Sequence, residues 1–79
     1  MHVGKTVSVL VSFTLQGNIT PLRFQWAGRL IRVQEVTYRW KSRNGTKEIH
    51  HFSVTDGSTL YELTFDSISL VWRLENLEA

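Results

Sequence analysis

Apolar and polar residues alternate along most of this chain with a period of two, as expected of strands that bury one face. The first run sets Val7, Val9, Val11, Phe13 and Leu15 on one side, with Thr6, Ser8, Ser12 and Thr14 among the residues between them. Gly17-Asn18 breaks this run. Pro21 cannot donate to a ladder and so suits the start of the next strand, where Leu22, Phe24 and Trp26 alternate with Arg23 and Gln25. Ala27-Gly28 offers the positive φ of a tight turn into Leu30-Ile31-Arg32-Val33, so the second and third strands should pair directly. Across Gln34-Glu35 the phase slips: Ile31 and Val33 share a face, yet Val36, Tyr38 and Trp40 resume three residues later. A one-residue slip sends every later side chain to the opposite face. The pattern therefore predicts a β-bulge or sharp bend there, with Val36, Tyr38 and Trp40 turned to the core.

Asn44-Gly45 is the strongest hairpin signal in the chain. After it, His50, Phe52 and Val54 alternate with Ile49, His51 and Ser53 until Asp56-Gly57. Tyr61, Leu63 and Phe65 form a fifth strand, and Asp66-Ser67 turns into Ile68, Leu70, Trp72 and Leu74 on a sixth. No window carries apolar residues at helical spacing between capping signals. The prediction is an all-β chain, a single domain over residues 1–79, built as an antiparallel meander of about six strands. An open sheet of that size would expose one whole face, so the meander is expected to curl into a small barrel or roll.

Composition narrows this further. Seventy-nine residues can hide only somewhat more than about 60% of the unfolded surface, which calls for a dense core. Three Trp, four Phe and two Tyr supply it, because the absence of Cys removes disulfides and thiolate metal sites. The lack of Cys fits a reducing cytosol, and a cytoplasmic location is the expectation. Met1-His2-Val3-Gly4-Lys5 opens into alternation rather than an apolar leader core, and no apolar stretch approaches the roughly 20 residues of a membrane helix. The formal charge of +2 is small, but eight of nine cations precede residue 48, while Asp56, Glu62, Asp66, Glu75 and Glu78 make the C-terminal third acidic apart from Arg73. Net charge of this size speaks to solubility rather than to a defined partner.

Catalytic patterns are weak. Ser, His, Asp and Glu are all present, but there is no G-x-S-x-G elbow and no Cys nucleophile. Glu62 and Asp66 could serve as acid and base, a pairing that an exposed acidic edge also produces. His50 and His51 are adjacent, so on a strand they face opposite sides and cannot share a metal ion. Gly4-Lys5-Thr6 opens a strand rather than a helix and lacks the upstream Gly of a phosphate loop. The chain reads as non-enzymatic, with no cofactor and no metal.

Two kinds of partner remain. Arg39, Lys41, Arg43 and Lys47 surround the 44–45 hairpin, and a stripe of these cations with Trp40 or Tyr38 exposed nearby could follow phosphates and stack a base of a nucleic acid. The favoured role is protein association, including a homodimer. If the meander does not close, Val7 to Leu15 or Leu70 to Leu74 is left as a free edge that pairs with another chain.

The string Pro21-Leu22-Arg23-Phe24-Gln25-Trp26-Ala27-Gly28-Arg29, followed by Val33, Val36, Trp40, Phe52-Ser53-Val54, Tyr61-Glu62-Leu63-Thr64-Phe65-Asp66 and Trp72-Arg73-Leu74, resembles a family of small uncharacterised bacterial proteins. That family, a domain of unknown function, shows a P-x-x-F-x-W-x-G-R hairpin, a downstream Trp, a Y-x-L-x-[FY]-D segment and a terminal W-x-L. Some of its members are encoded near translesion DNA polymerase genes, so the resemblance implies work linked to DNA. Relatives often carry a longer, more basic insert after the downstream Trp, where this chain has only Lys41 to Thr46. The matching aromatic and Gly positions read as core and turn residues, and none transfers as catalytic.

Overall fold

Eight strands make up the computed structural model, which describes residues 1–79: β1 (His2–Thr6), β2 (Val9–Phe13), β3 (Ile19–Trp26), β4 (Arg29–Arg32), β5 (Glu35–Asn44), β6 (Lys47–Thr55), β7 (Leu60–Asp66) and β8 (Trp72–Glu78). All pairings are antiparallel. They form a five-stranded sheet in the order β1-β8-β7-β6-β5 and a three-stranded sheet in the order β2-β3-β4. There is no helix long and apolar enough to cross a membrane.

The expected six strands become eight because the run from Leu30 to Trp40 divides into β4 and β5 in different sheets, and because β1 (His2–Thr6) precedes the first run read from the sequence, of which β2 is the ordered part. At the first corner Val7 N–H donates to Trp72 O in the larger sheet, while Ser8 O accepts from Gln25 N–H in the smaller one. At the second corner Val33 N–H donates to Leu22 O in the smaller sheet and Gln34 N–H to Thr55 O in the larger. Neighbouring residues thus serve different ladders. The phase slip at Gln34-Glu35 is this handover, so the predicted bend is present. A bulge lies slightly further on, where the register shifts between Val36 and Tyr38 and leaves Thr37 unpaired.

Other boundaries also move. Pro21 does not begin its strand but lies inside β3, opposite Val11 where the β2–β3 register shifts, a site with no ladder bond to lose. Ile68 and Leu70 belong to the turn before β8 and are exposed, Leu70 having φ 62°. β8 lies between β1 and β7, so Leu70 to Leu74 offers no free edge; the outer strands are β1 and β5 in one sheet, β2 and β4 in the other. The hairpin at Asn44-Gly45 forms, but its loop sits one residue later: Asn44 closes β5 opposite Lys47, leaving Gly45 and Thr46 between them, with Gly45 at φ 65°. At Ala27 and Gly28 both φ values are positive, 52° and 74°, as a type I′ turn requires.

The core fills the space between the sheets. Phe24 and Ile31 come from the smaller sheet and Phe52, Val54, Tyr61, Leu63, Phe65, Trp72 and Leu74 from the larger. Phe24 meets Tyr61 edge to face at 5.1 Å, and Trp72 lies 5.4 Å from Phe52 and 4.9 Å from Phe65 between ring centroids. Val9, Val11, Val33 and Val36 close the margin.

Two aspartates tie the turns that frame this core. Asp56 Oδ1 accepts the N–H groups of Ser58 (3.0 Å) and Thr59 (2.8 Å), and Asp66 Oδ1 those of Ile68 (2.8 Å) and Ser69 (3.1 Å). These backbone donors hold both carboxyls below the usual carboxylate range. In Tyr61, burial first and the Asp56 charge second push the phenol up. A carboxylate with a lower pKa in the folded state stabilises the fold fully above its unfolded value, and the contribution fades as pH falls toward the folded value. The urea midpoint is therefore expected to drop on acidification below about pH 4. In the D56N/D66N double variant, which keeps the acceptor oxygens, the drop should be shallower. An equally steep drop would place the acid-labile groups elsewhere.

Candidate functional site

The bulge at Thr37 decides what β5 shows to solvent. Val36 lies opposite Val54 and faces the core; after the extra residue, Tyr38 lies opposite Ser53 and Trp40 opposite His51. Tyr38 and Trp40 therefore stand on the outward face of the five-stranded sheet rather than in the core, the reverse of the sequence expectation. One inserted residue is enough to exchange the two faces.

The same inversion divides the basic and aromatic stripe. Arg39 lies opposite Phe52 on the core side, with its guanidinium 5.6 Å from that ring. It donates to Ile19 O and Thr20 Oγ1, strapping the middle of β5 to the start of β3. Lys41 lies 3.9 Å from Glu48, and Lys47 lies 3.4 Å from Asp66. Arg43, opposite Glu48, is exposed and makes no ion pair. Arg39, Lys41 and His50 line an open cleft of about 200 Å³ beside Gly17 and Asn18. Arg39, Lys41 and Arg43 thus share one face of the edge strand and the predicted aromatics the other, while Lys47, opposite Asn44 on β6, lies on the aromatic face near the hairpin.

The outward face holds a cluster that alternation alone does not reveal. Trp40 and the His51 ring stack at 4.8 Å with planes 14° apart, and Tyr38 sits 5.3 Å from Trp40. Ser42 Oγ is 2.7 Å from His51 Nε2; His51 Nδ1 is buried, and its closest acid is Glu62 Oε2 at 3.6 Å. Glu62 Oε1 in turn accepts from Asn76 Nδ2 at 2.9 Å. Four strands thereby contribute one polar diagonal, Ser42, His51, Glu62 and Asn76, running from β5 to β8. Beside it Thr64 Oγ1 donates to Glu75 Oε2 (2.8 Å), which also accepts from Arg73 Nε (3.2 Å).

A proton on Nδ1, the side facing Glu62, leaves Nε2 to accept the Ser42 hydroxyl. Hydroxyl, imidazole and carboxylate stand in the order of a nucleophile with its base. The 3.6 Å gap is nevertheless too long for a hydrogen bond, and Ser42 lies exposed on an open sheet face rather than in a cleft. The adjoining hollow is small, about 140 Å³, with Trp40, Ser53, Glu62 and Asn76 in its lining. Its chemistry suits stacking against the indole and hydrogen bonding to the polar diagonal.

Sequence reasoning missed Ser42, His51, Glu62 and Asn76 as a group. The signal lay in the register: extending the Asn44-Gly45 hairpin puts Trp40 across from His51, and β6 and β7 place Ser53 across from Glu62. His50 and His51 do face opposite sides, His50 toward Phe65 and His51 toward Trp40. No protein-family model, curated protein or solved structure matches this chain.

Proposed function

We propose that the chain is a non-enzymatic binding module of the cytoplasm whose recognition face is the outward side of β5–β8. The observation that carries this reading is the Tyr38–Trp40–His51 stack, an aromatic surface on a sheet face that no second layer covers. Tyr38 is 65% exposed, so a ligand reaches the stack without rearranging the core. The favoured occupant is another protein, a second copy included, since large rigid aromatic side chains anchor protein interfaces. We further read the corners at Val7-Ser8 and Val33-Gln34 as those of a rolled meander, which bends the sheet around its core and turns this face outward.

The test follows the indole N–H resonance of Trp40, identified by its loss in W40F, while the protein is concentrated. Movement of Trp40 ahead of Trp26 and Trp72, together with sedimentation as a dimer, supports self-association through this face. If dimers form while Trp40 does not respond, the recognition face lies elsewhere and the reading fails.

A second reading is a nucleic-acid accessory domain. Its support is that one edge strand carries the exposed Tyr38 on one face and, five residues on, the unpaired cation Arg43 on the other, so that a single strand wrapping this edge would stack on one side and meet charge further along on the other. Anisotropy of labelled single-stranded DNA, duplex DNA and RNA at low and physiological salt decides it. Salt-sensitive binding, with a slope about one unit smaller in R43A, is the expected result. No binding at low salt overturns it.

A further inference from the structure

The outer face of the three-stranded sheet carries a different surface. Leu10, Leu22 and Leu30 are 48%, 44% and 51% exposed there. Across the strands Leu10 lies opposite Arg23 and Arg23 opposite Arg32, while Leu30 lies opposite Gln25. Two shallow clefts open between these side chains, one beside Leu30 and one beside Leu22. Neither Arg23 nor Arg32 has a carboxylate within ion-pair distance. Asp56 borders one cleft, but its Oδ1 is occupied by its own turn and its Oδ2 by Tyr61 O–H.

We infer that this face docks a protein partner whose surface alternates apolar with acidic side chains. Three half-exposed leucines on one small sheet form an apolar patch, and patches rimmed by charge mark association sites. The sign of the rim selects the partner: unpaired guanidiniums favour carboxylates, which they bind through paired, planar hydrogen bonds. A second copy is the poorer occupant, because a two-fold interface would bring Arg23 and Arg32 against their own equivalents. A nucleic acid would satisfy the arginines and leave the leucines without apolar contact. Since β2 and β4 are both free edges, an incoming strand could also extend the sheet.

Three synthetic probe peptides of equal length test this: alternating Leu and Glu, alternating Leu and Lys, and alternating Ser and Glu. The intact protein should bind the Leu/Glu peptide in an anisotropy titration and bind the other two much more weakly. R23E/R32E should weaken Leu/Glu binding by at least about tenfold and raise affinity for Leu/Lys, as expected when the rim charge is reversed. L10S/L30S should abolish binding; both variants leave the core untouched, and circular dichroism confirms that they fold. Equal binding of Ser/Glu would reduce the surface to charge attraction, and absence of Leu/Glu binding would remove the site; either result overturns the inference. So would a dimer in sedimentation that L10S/L30S dissociates, because the occupant would then be a second copy. These variants spare Tyr38 and Trp40, so failure here leaves the Trp40 face to be judged by its own test.

Discussion

Replacement of Phe24 by alanine should lower unfolding stability by about 3–5 kcal/mol, the range seen when a buried phenylalanine is truncated. Phe24 is the largest fully buried side chain of the smaller sheet and meets Tyr61 of the larger one edge to face. Removing its ring leaves only Ile31 and the small ring of Pro21 as buried apolar side chains of this sheet. Domains of this size sit near the low end of the usual 5–15 kcal/mol of stability, so much of the chain is expected to unfold. Urea unfolding followed by tryptophan fluorescence measures the loss. A cost below about 1 kcal/mol would mean that the two sheets do not depend on each other for stability.

The second large effect separates two tryptophans. Trp72 is 8% exposed and lies between Phe52 and Phe65, so W72A should also cost about 3–5 kcal/mol. Trp40 stands on the outward face and chiefly loses its stacks with His51 and Tyr38, so W40A should cost only about 1 kcal/mol. The comparison is made under one set of conditions by urea denaturation. Equal costs would mean that Trp40 serves the fold as Trp72 does, and the case for an outward recognition face would lose its main support.

Sequence patterning reads these two residues alike, each an aromatic in an alternating run. What separates them is the unpaired Thr37, and nothing in the composition near Val36 marks a bulge at that residue rather than at Gln34 or Glu35. The legible parts were those with strong local causes: the Asn44-Gly45 and Ala27-Gly28 turns need residues that tolerate positive φ, and the Phe52/Val54 and Tyr61/Leu63/Phe65 alternations need a buried face. The corner at Val7-Ser8 was not legible. The alternation begins only at Val7, and His2 to Thr6 carries a single apolar side chain, Val3, so nothing local marks β1 or the change of hydrogen-bond partners from β8 to β3. The candidate site was half legible. Tyr38 and Trp40 were singled out, but their neighbours Ser42, His51, Glu62 and Asn76 meet only through the pairing of four strands, and of the cations expected beside them Arg39, Lys41 and Arg43 fall on the other side.

The place of β1 bears on the order in which the molecule assembles. Strands β5 to β8 are joined by short turns, so each can zip onto its predecessor soon after that one forms. β1 instead pairs with β8, and Met1 N donates to Leu77 O across 76 positions of sequence. Closing a loop of that length costs more chain entropy than closing a hairpin, and its contacts repay that cost only once β8 is in place. The N-terminal strand is thus the natural last arrival. Until it docks, β8 is a temporary open edge, and the interval before docking is when the folding chain is most exposed to pairing with its neighbours.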